Sequence, residues 1–538
     1  MDRRARFACN ACRRLKRKCP KELPSCSLCL RLGKPCTYPS RVLDACAASD
    51  IELGANISSG DVRDDLQSLG SSPSRPQLSV SENGASEQGR TSAFPALYFL
   101  DSEAFTKLLP SDCSHFTNIG TFSLDLSLEA HTLYEEYFSA IHPWLPILST
   151  KRIRRSMLET GLAADGVSTL LFLCMKLVSE PLPPDTPAAA NHLYGSVQEI
   201  LLKIENACLP SLQLLQSIIL LSIYEIGHAI YPAAYLRVGH ATRLSIMMGF
   251  HDRKHAAQLF MGTVTWTARE EERRAFWAVF CLDRIVNQGV NGLPLSAPEP
   301  SPGELLPSPE AQWDEGAIGF NEPLFASSFS DDTSLGSFAN VCQAAHVLGR
   351  VLQHRDETTA NIAPGFRIPE AKQLHSILAS LSSHLHNISN DISAPIGSLS
   401  VALALCFSAR LILYDIYACN ETYSSNHNRS SEEAEMQREA MAGIPEVTKA
   451  TWQLARGILE FVKADASQQS RLSPLLCHCL YAAAGESEWF ILEDEDSDAA
   501  TWLKDTVELL QLIGRRWQVA GVYLSEINKW PGYCNLRK

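Results

Sequence analysis

Six cysteines with regular spacing lie near the start of the chain and could bind metal. They are Cys9, Cys12, Cys19, Cys26, Cys29 and Cys36. Each half of this segment repeats the pattern C-x2-C-x6-C. Thiolates bind zinc tetrahedrally, and one structural ion takes four ligands. Six cysteines therefore suit one ion with two thiols left over, or two ions that share two bridging thiolates, and the two-fold repeat favours two ions.

The alternative for such a cluster is a small domain held together by disulfides. The first residues, MDRRARFACNAC, contain no apolar signal core, so we expect a reducing compartment, where a tight cysteine cluster indicates metal. Metal–thiolate bonds would also stabilise a segment that is too small to bury a hydrophobic core.

A run of basic residues lies inside the first half of the cysteine pattern. The sequence RRLKRK, between Cys12 and Cys19, places five cations in six residues, whereas the second half offers only Arg31 and Lys34. Residues 1–41 have a net charge of +10. Since the whole chain has a net charge of −13, the remainder has a net charge of −23. A basic head on an acidic body predicts that the head binds nucleic acid. The run also suits a nuclear import signal, so we expect the nucleus.

The complete pattern C-x2-C-x6-C-x6-C-x2-C-x6-C, with its basic run, resembles the fungal binuclear zinc-cluster transcription factors. Pro24 before the fourth cysteine and the TYP that follows the sixth agree with that family, and the likeness covers about residues 6–40. The resemblance implies two zinc ions per chain, with Cys9 and Cys26 bridging them and the other four cysteines as terminal ligands. It also implies that double-stranded DNA is the partner.

The same resemblance assigns DNA contacts by position. Lys16 matches the lysine that reads bases, and such a side chain can donate to guanine O6 and N7 in the major groove. The other implied contacts are Arg13, Lys18 and Lys21 to phosphate, with Arg14 and Arg17 as auxiliaries. The usual family target is a CGG triplet, read by a monomer or as paired triplets.

Composition predicts three parts: a DNA-binding domain at residues 1–45, a flexible linker at 46–94 and a body at 95–538. The linker segment, including SSPSRPQLSVSENGASEQGRTS, is too polar to bury enough surface to offset its ordering entropy. Its start has a weak heptad pattern, but Asp50 would occupy a core position and Gly54 would weaken the helix. A homodimer therefore stays an open alternative.

The body shows helical spacing of apolar residues and no convincing alternating strands, which predicts a mostly α protein with a large all-helical body. AAYLRVGHATRLSIMMGF predicts a helix with Gly249 as its C-cap. EEERRAFWAVFCLDRIVNQ starts with acids suited to a helix N-terminus. Together with YFSAIHPWLPIL and NGLPLS, these segments resemble the middle-homology region of fungal transcription factors over about residues 127–310. That likeness implies a regulatory body that meets co-regulators or the transcription machinery, or responds to a small-molecule inducer.

Two local motifs invite sharper hypotheses. Cys477, His478 and Cys479 could bind metal, but their surroundings predict buried helix positions. GESEWFILEDEDSD has the composition of an acidic activation segment, although a solvated loop between two helices is favoured.

Nucleotide-binding loops and hydrolase or zinc-protease motifs are missing, so we expect no enzyme. No apolar run reaches the roughly 18 residues of a membrane span, so we expect no membrane partner. The sequence therefore predicts a DNA-binding regulator of RNA polymerase II transcription. FPALYFLDSEAF and LPLSAPEPSPGELLPS resemble regulators of fungal secondary-metabolite gene clusters. The alternatives are a zinc-dependent protein-interaction module and a ligand-sensing helical protein, neither with a specific DNA target.

Overall fold

The computed structural model describes two separate units. The described residues are 19–22, 24–31, 36, 100, 130–159, 166–183, 186–207, 210–253, 265–301, 303–324, 335–359, 367–391, 396–418, 430–493 and 497–536. The chain divides into compact units at residues 1–86 and 87–538, and each is described by itself. In the first, helix α1 spans Ser27–Arg31.

The second unit is a helical body, as the sequence predicted. Its described residues contain no strand beyond one isolated bridge between Leu305 and Pro323. The helices are α2 (Ala130–Ala140), α3 (Thr150–Glu159), α4 (Gly166–Ser179), α5 (His192–Ala207), α6 (Leu212–Gly227), α7 (Ala233–Met247), α8 (Trp266–Ile285), α9 (Glu310–Asp314), α10 (Ser337–Thr359), α11 (Arg367–Asp391), α12 (Ser398–Ala418), α13 (Ser431–Ala464), α14 (Cys477–Glu493), α15 (Ser497–Gly514), α16 (Gln518–Ile527) and α17 (Pro531–Leu536).

Local sequence sets several helix ends. The Ser211 hydroxyl accepts the Leu214 N–H at 3.1 Å at the start of α6. Ser430 and Glu433 form a reciprocal capping box at the start of α13, which satisfies two backbone donors that no helical carbonyl can reach. Gly249 follows α7 with a φ of 75°, the left-handed conformation that glycine adopts without strain. The helix ends where predicted, although the C-cap residue is Met248 and Gly249 is the left-handed residue after it.

The middle of the body is organised around α12, which packs against α10 and α13. Almost every side chain of α12 is buried. Helix α13 approaches closely at Gly443, where an added Cβ would lie 2.4 Å from the Tyr414 ring. The close packing of these two helices therefore depends on the missing side chain.

Helix α12 is also long and apolar enough to cross a membrane, with 21 residues and a mean hydropathy of 1.8. The sequence expectation missed this length because Arg410 interrupts the apolar run. Since 83% of its apolar window is buried inside the body, packing against neighbouring helices accounts for its composition. It is the one helix of this kind among the residues that the structure describes.

The sequence predicted that a helix starts at the acidic residues of EEERRAFWAVFCLDRIVNQ, and this predicted start is wrong. Helix α8 begins at Trp266, where the Thr265 hydroxyl accepts the Ala268 N–H at 3.3 Å. The acids Glu270, Glu271 and Glu272 therefore lie beyond the first turn, and all three are buried. Burial of carboxylates is stable only with charged or hydrogen-bonding partners, and the structure supplies these both from the same helix and from distant segments.

Glu270 forms ion pairs with both Arg273 and Arg274. Arg274 is fully buried, and its Nε lies 3.1 Å from Glu270 Oε1. The same guanidinium donates to the Ser308 carbonyl at 2.6 Å and lies 4.1 Å from the centre of the Trp313 ring. This buried ion pair joins α8 to the segment around α9.

The end of the chain packs against α6 through Trp517. An added Cβ on Gly227 would lie 2.3 Å from the Trp517 ring, and the indole N–H donates to the Leu472 carbonyl at 3.0 Å. The ring of His228 lies 5.2 Å from that of Trp517, and its Nδ1 accepts the Gln518 N–H at 3.4 Å. Because burial disfavours the charged imidazole, with a smaller contribution from Arg516, the pKa of His228 is lowered to about 3.

The two local hypotheses near the C-terminus have opposite outcomes. Cys477 and Cys479 are buried positions of α14, as predicted, and His478 is half-buried. The interpretation of GESEWFILEDEDSD as a loop is wrong for residues 485–493, which belong to α14. Within that segment Phe490 is buried, whereas Trp489 is 54% exposed.

Candidate zinc and DNA-binding module

A short helix presents two of the predicted ligands. Helix α1 begins directly after Cys26 and carries Cys29. The Glu22 carboxylate accepts the Ser27 N–H at 2.7 Å, and Arg31 lies in the last turn. A negative group at the first turn and a cation at the last both suit the helix dipole. Local sequence thus supports the turn that places these two cysteines together.

Three thiols converge in the described part of this unit. The sulfur atoms of Cys26, Cys29 and Cys36 lie within 4.8 Å of one another, close to the span of two Zn–S bonds of about 2.3 Å each. Cys26 and Cys29 are buried, and Cys36 is half-buried. Cys19 packs against the buried pair. The four cysteines are not joined in disulfides.

Backbone amides point at two of these sulfur atoms. The Cys26 N–H donates to Cys36 Sγ at 3.2 Å, and the Cys29 N–H donates to Cys26 Sγ at 3.4 Å. Hydrogen bonds of this kind orient the ligands of a metal site. A cluster of thiolates needs a cation, so the donor set fits zinc. Cys9 and Cys12 lie outside the described residues, so the six-ligand assignment stays a prediction.

The predicted DNA contacts can be placed only in part. Lys21 is exposed and has a φ of 66°, a left-handed conformation that costs a residue with a side chain roughly 1 kcal/mol. The chain therefore turns sharply just after Cys19. The other predicted contacts lie outside the described residues: Arg13, Arg14, Lys16, Arg17 and Lys18.

Sequence reasoning missed the buried polar side chains of the body. Arg284 is fully buried and lies 3.0 Å from Asp283 and 2.9 Å from Glu299. Arg355 donates to the carbonyl of Gln288 at 2.8 Å. These groups stabilise loops between helices, and their only signal in the sequence was charge within otherwise apolar helices.

Two family profiles match the chain. The profile described as the fungal Zn(2)-Cys(6) binuclear cluster domain matches residues 7–44. The profile described as the fungal specific transcription factor domain matches residues 134–295. The first covers the converging thiols, and the second covers the body from α2 to beyond α8.

Several proteins similar to this chain are named as transcription factors or transcriptional activators. The transcription factor BOA15 of Botryotinia fuckeliana is 39% identical over 140 residues, which are 26% of this chain and 76% of that protein. The citrinin biosynthesis transcriptional activator ctnR of Monascus purpureus is 21% identical over 90% of this chain and 87% of its own. The pigment biosynthesis transcriptional activator pigB of Monascus ruber is 26% identical over 45% of this chain and 45% of its own. Both matched families and all three relatives are transcription factors.

Proposed function

Because the chain belongs to the fungal Zn(2)-Cys(6) transcription factors, we propose that it reads CGG-like DNA triplets to control a biosynthetic gene cluster. Its binuclear cluster domain binds two zinc ions, and the partner of this domain is DNA. The observation that carries the proposal is the convergence of Cys26, Cys29 and Cys36 in the segment that matches the zinc-cluster profile. The basic run RRLKRK lies beside it in the sequence.

The proposed zinc ligands are all six cysteines of the head, Cys9, Cys12, Cys19, Cys26, Cys29 and Cys36. Bound zinc would supply cross-links that fold a segment without its own apolar core. Cys26 is the proposed bridging ligand of the second half, together with Cys9. The N–H groups of Cys26 and Cys29 would donate to two of the coordinating sulfurs and orient them.

In the proposed complex, Lys16 donates to guanine in the major groove and supplies base preference. Arg13, Lys18 and Lys21 contact phosphate, with Arg14 and Arg17 as auxiliaries. Phosphate contacts position the protein on the duplex without selecting a sequence. A head with a net charge of +10 on a remainder with a net charge of −23 would bind DNA through the head alone.

We propose three functional parts: the DNA-binding domain at residues 1–45, a linker at 46–94 and a regulatory body at 95–538. The relatives named for citrinin and pigment biosynthesis support a biosynthetic gene cluster as the target. Action in the nucleus on RNA polymerase II genes follows from the family's role in transcription. A homodimer on paired triplets and response to an inducer belong to the same proposal.

Selection of bound duplexes from a random pool tests this function. The full-length zinc-loaded protein should enrich a CGG-like triplet, and a second triplet at fixed spacing would establish dimeric binding. A sample treated with a chelator should enrich nothing. Zinc-loaded protein that binds DNA without any enriched sequence would contradict the proposed triplet recognition.

Two substitutions separate base reading from phosphate contact. Lys16→Ala should weaken the free energy of binding to the selected site by roughly 1–3 kcal/mol and relax the base preference. Arg13→Ala should weaken selected and random duplexes alike and reduce the salt slope by about one unit. Equal losses on both kinds of DNA for both variants would contradict this division of roles.

A further inference from the structure

The outward face of α14 carries large apolar side chains that the rest of the body leaves exposed. Trp489 is 54% exposed and Leu492 is 49% exposed. These two residues lie one turn apart on the same side of the helix. Single apolar side chains on a surface are ordinary, whereas neighbouring large ones mark places where proteins bind each other. This side of α14 therefore indicates an interaction surface.

Aromatic rings continue this surface towards the end of the chain. The Tyr481 ring of α14 stacks on that of Tyr523 of α16, with ring centres 4.6 Å apart, and its centre lies 5.5 Å from that of Trp530. All three side chains are half-buried. Gly485 lies beside Trp530, where an added Cβ would be 3.8 Å from the indole ring. Tyrosine and tryptophan are enriched at the centres of protein interfaces.

We call this set the aromatic face, and its members are Tyr481, Trp489, Leu492, Tyr523 and Trp530. Carboxylates lie along one side of it. Glu486 and Glu493 are three residues before and four residues after Trp489, so the three side chains share one side of α14. Residues 472–503 hold seven acids and no lysine or arginine. The sequence around the aromatic face is therefore negative and supplies no cation of its own.

The nearest charge that acts on Glu486 is another carboxylate. Burial, with a smaller contribution from Asp415 near the end of α12, raises the pKa of Glu486 to about 7. Among the residues that the structure describes, no lysine or arginine acts on either carboxylate. Neighbouring carboxylates repel each other, and a cation beside them relieves that repulsion. We call Asp415, Glu486 and Glu493 the acid edge, and it favours a positively charged partner.

We propose that the aromatic face binds an amphipathic helix of another protein, with apolar residues on one side and lysine or arginine beside them. The apolar residues of that helix pack on Trp489 and Leu492, and its cations pair with the acid edge or lie over exposed rings. A second copy of this chain fits less well, because an isologous contact would bring identical carboxylates together and like charges repel. That the partner is a co-regulator rests on the proposed function, whereas the docking does not.

Fluorescence anisotropy of labelled synthetic peptides, with the full-length zinc-loaded protein and no DNA, tests this surface. The probe is a helix-forming peptide with leucine at positions i, i+3, i+4 and i+7 and lysine elsewhere. Two matched peptides replace every lysine with glutamate or every leucine with serine. One variant is Trp489→Ala, and another combines Glu486→Gln with Glu493→Gln. The control is Phe320→Ala, because Phe320 is 85% exposed on the loop that follows α9.

The expected result is saturable binding of the leucine–lysine peptide, about tenfold tighter than that of either matched peptide. Trp489→Ala should weaken this binding about tenfold or more, as truncation of an interface tryptophan does. The double glutamine variant should weaken it about fivefold, since exposed ion pairs contribute little each. Phe320→Ala should leave it within about twofold. None of the replaced side chains is buried, so the thermal midpoint of the body should stay unchanged.

Three outcomes of the peptide titrations would overturn the proposal: no saturable binding of the leucine–lysine peptide, equal binding of either matched peptide, or an equal loss in Phe320→Ala. Wild-type dimers that Trp489→Ala dissociates, measured by light scattering, would also overturn it, because a second copy would then cover the aromatic face. Binding of the selected DNA by the same samples reports separately on the proposed function.

Discussion

The head and the body of this protein are stabilised by different chemistry. Among the described residues of the head, the buried side chains are two cysteines, with other cysteines and Leu28 packed against them. The body instead has a continuous apolar core from α2 to α17, crossed by buried ion pairs. A segment without an apolar core needs cross-links, whereas a large core folds without them. Metal should therefore control DNA binding without controlling the stability of the body.

The largest expected effect comes from removing one thiol of the head. Cys26→Ser should abolish specific DNA binding, because structural zinc sites supply about 10–16 kcal/mol of folding free energy in zinc-finger peptides. The thermal midpoint of the body should not change. DNA binding by fluorescence anisotropy, zinc content and calorimetric unfolding check this on one sample.

Cys534→Ser is the matched control for that variant. Cys534 is a half-buried cysteine of α17, so its replacement should leave zinc content and DNA binding unchanged. Specific DNA binding by Cys26→Ser at the level of the control would show that the head does not depend on this thiol.

The converse experiment removes a buried charge from the body. Arg274→Ala should lower the free energy of unfolding by about 2–4 kcal/mol, because it removes one of the two arginines paired with the buried Glu270, loses the bond to the Ser308 carbonyl and leaves a cavity. Arg456→Ala is the control, since Arg456 forms an exposed pair with Glu460 and should change stability by under about 1 kcal/mol. Urea unfolding of the full-length protein measures both.

In Arg274→Ala under conditions where the body stays folded, DNA affinity should match that of the wild type. A parallel loss of DNA affinity at those conditions would mean that the two regions are energetically coupled.

A smaller effect concerns acid stability of the body. Burial lowers the pKa of His228 to about 3, so its contribution to stability is present above the usual histidine pKa near 6.5 and is lost as the pH falls through that value toward 3. Lowering the pH from 7 to 5 should therefore reduce the free energy of unfolding by about 2 kcal/mol through this group.

His228→Phe should remove that part of the pH dependence, which is measured as the difference in unfolding free energy between the two pH values. An unchanged dependence in the variant would show that His228 is not the titrating group. The lost bond to the Gln518 N–H affects both pH values alike and cancels in the difference.

Sequence reasoning succeeded where the signal is local. The C-x2-C spacing predicted the thiols that α1 brings together, and Gly249 predicted a helix end because only a few neighbouring residues decide its conformation. It failed for Glu270, whose acidic neighbours suit a helix start, because the burial of this carboxylate depends on Ser308 and Asn321, which are distant in the chain. The contacts of Glu271 with Ser149 and Gln216 were missed for the same reason, since these residues are distant in the chain.

The central claim is that metal orders the head and leaves the body unchanged. Hydrogen–deuterium exchange of the full-length protein, before and after addition of a chelator, tests it most directly. The account predicts that amides of residues 19–36, including those of Cys26 and Cys29, lose protection while those of α10, α12 and α13 keep theirs. Unchanged exchange in the head, or lost protection in those body helices, would contradict it.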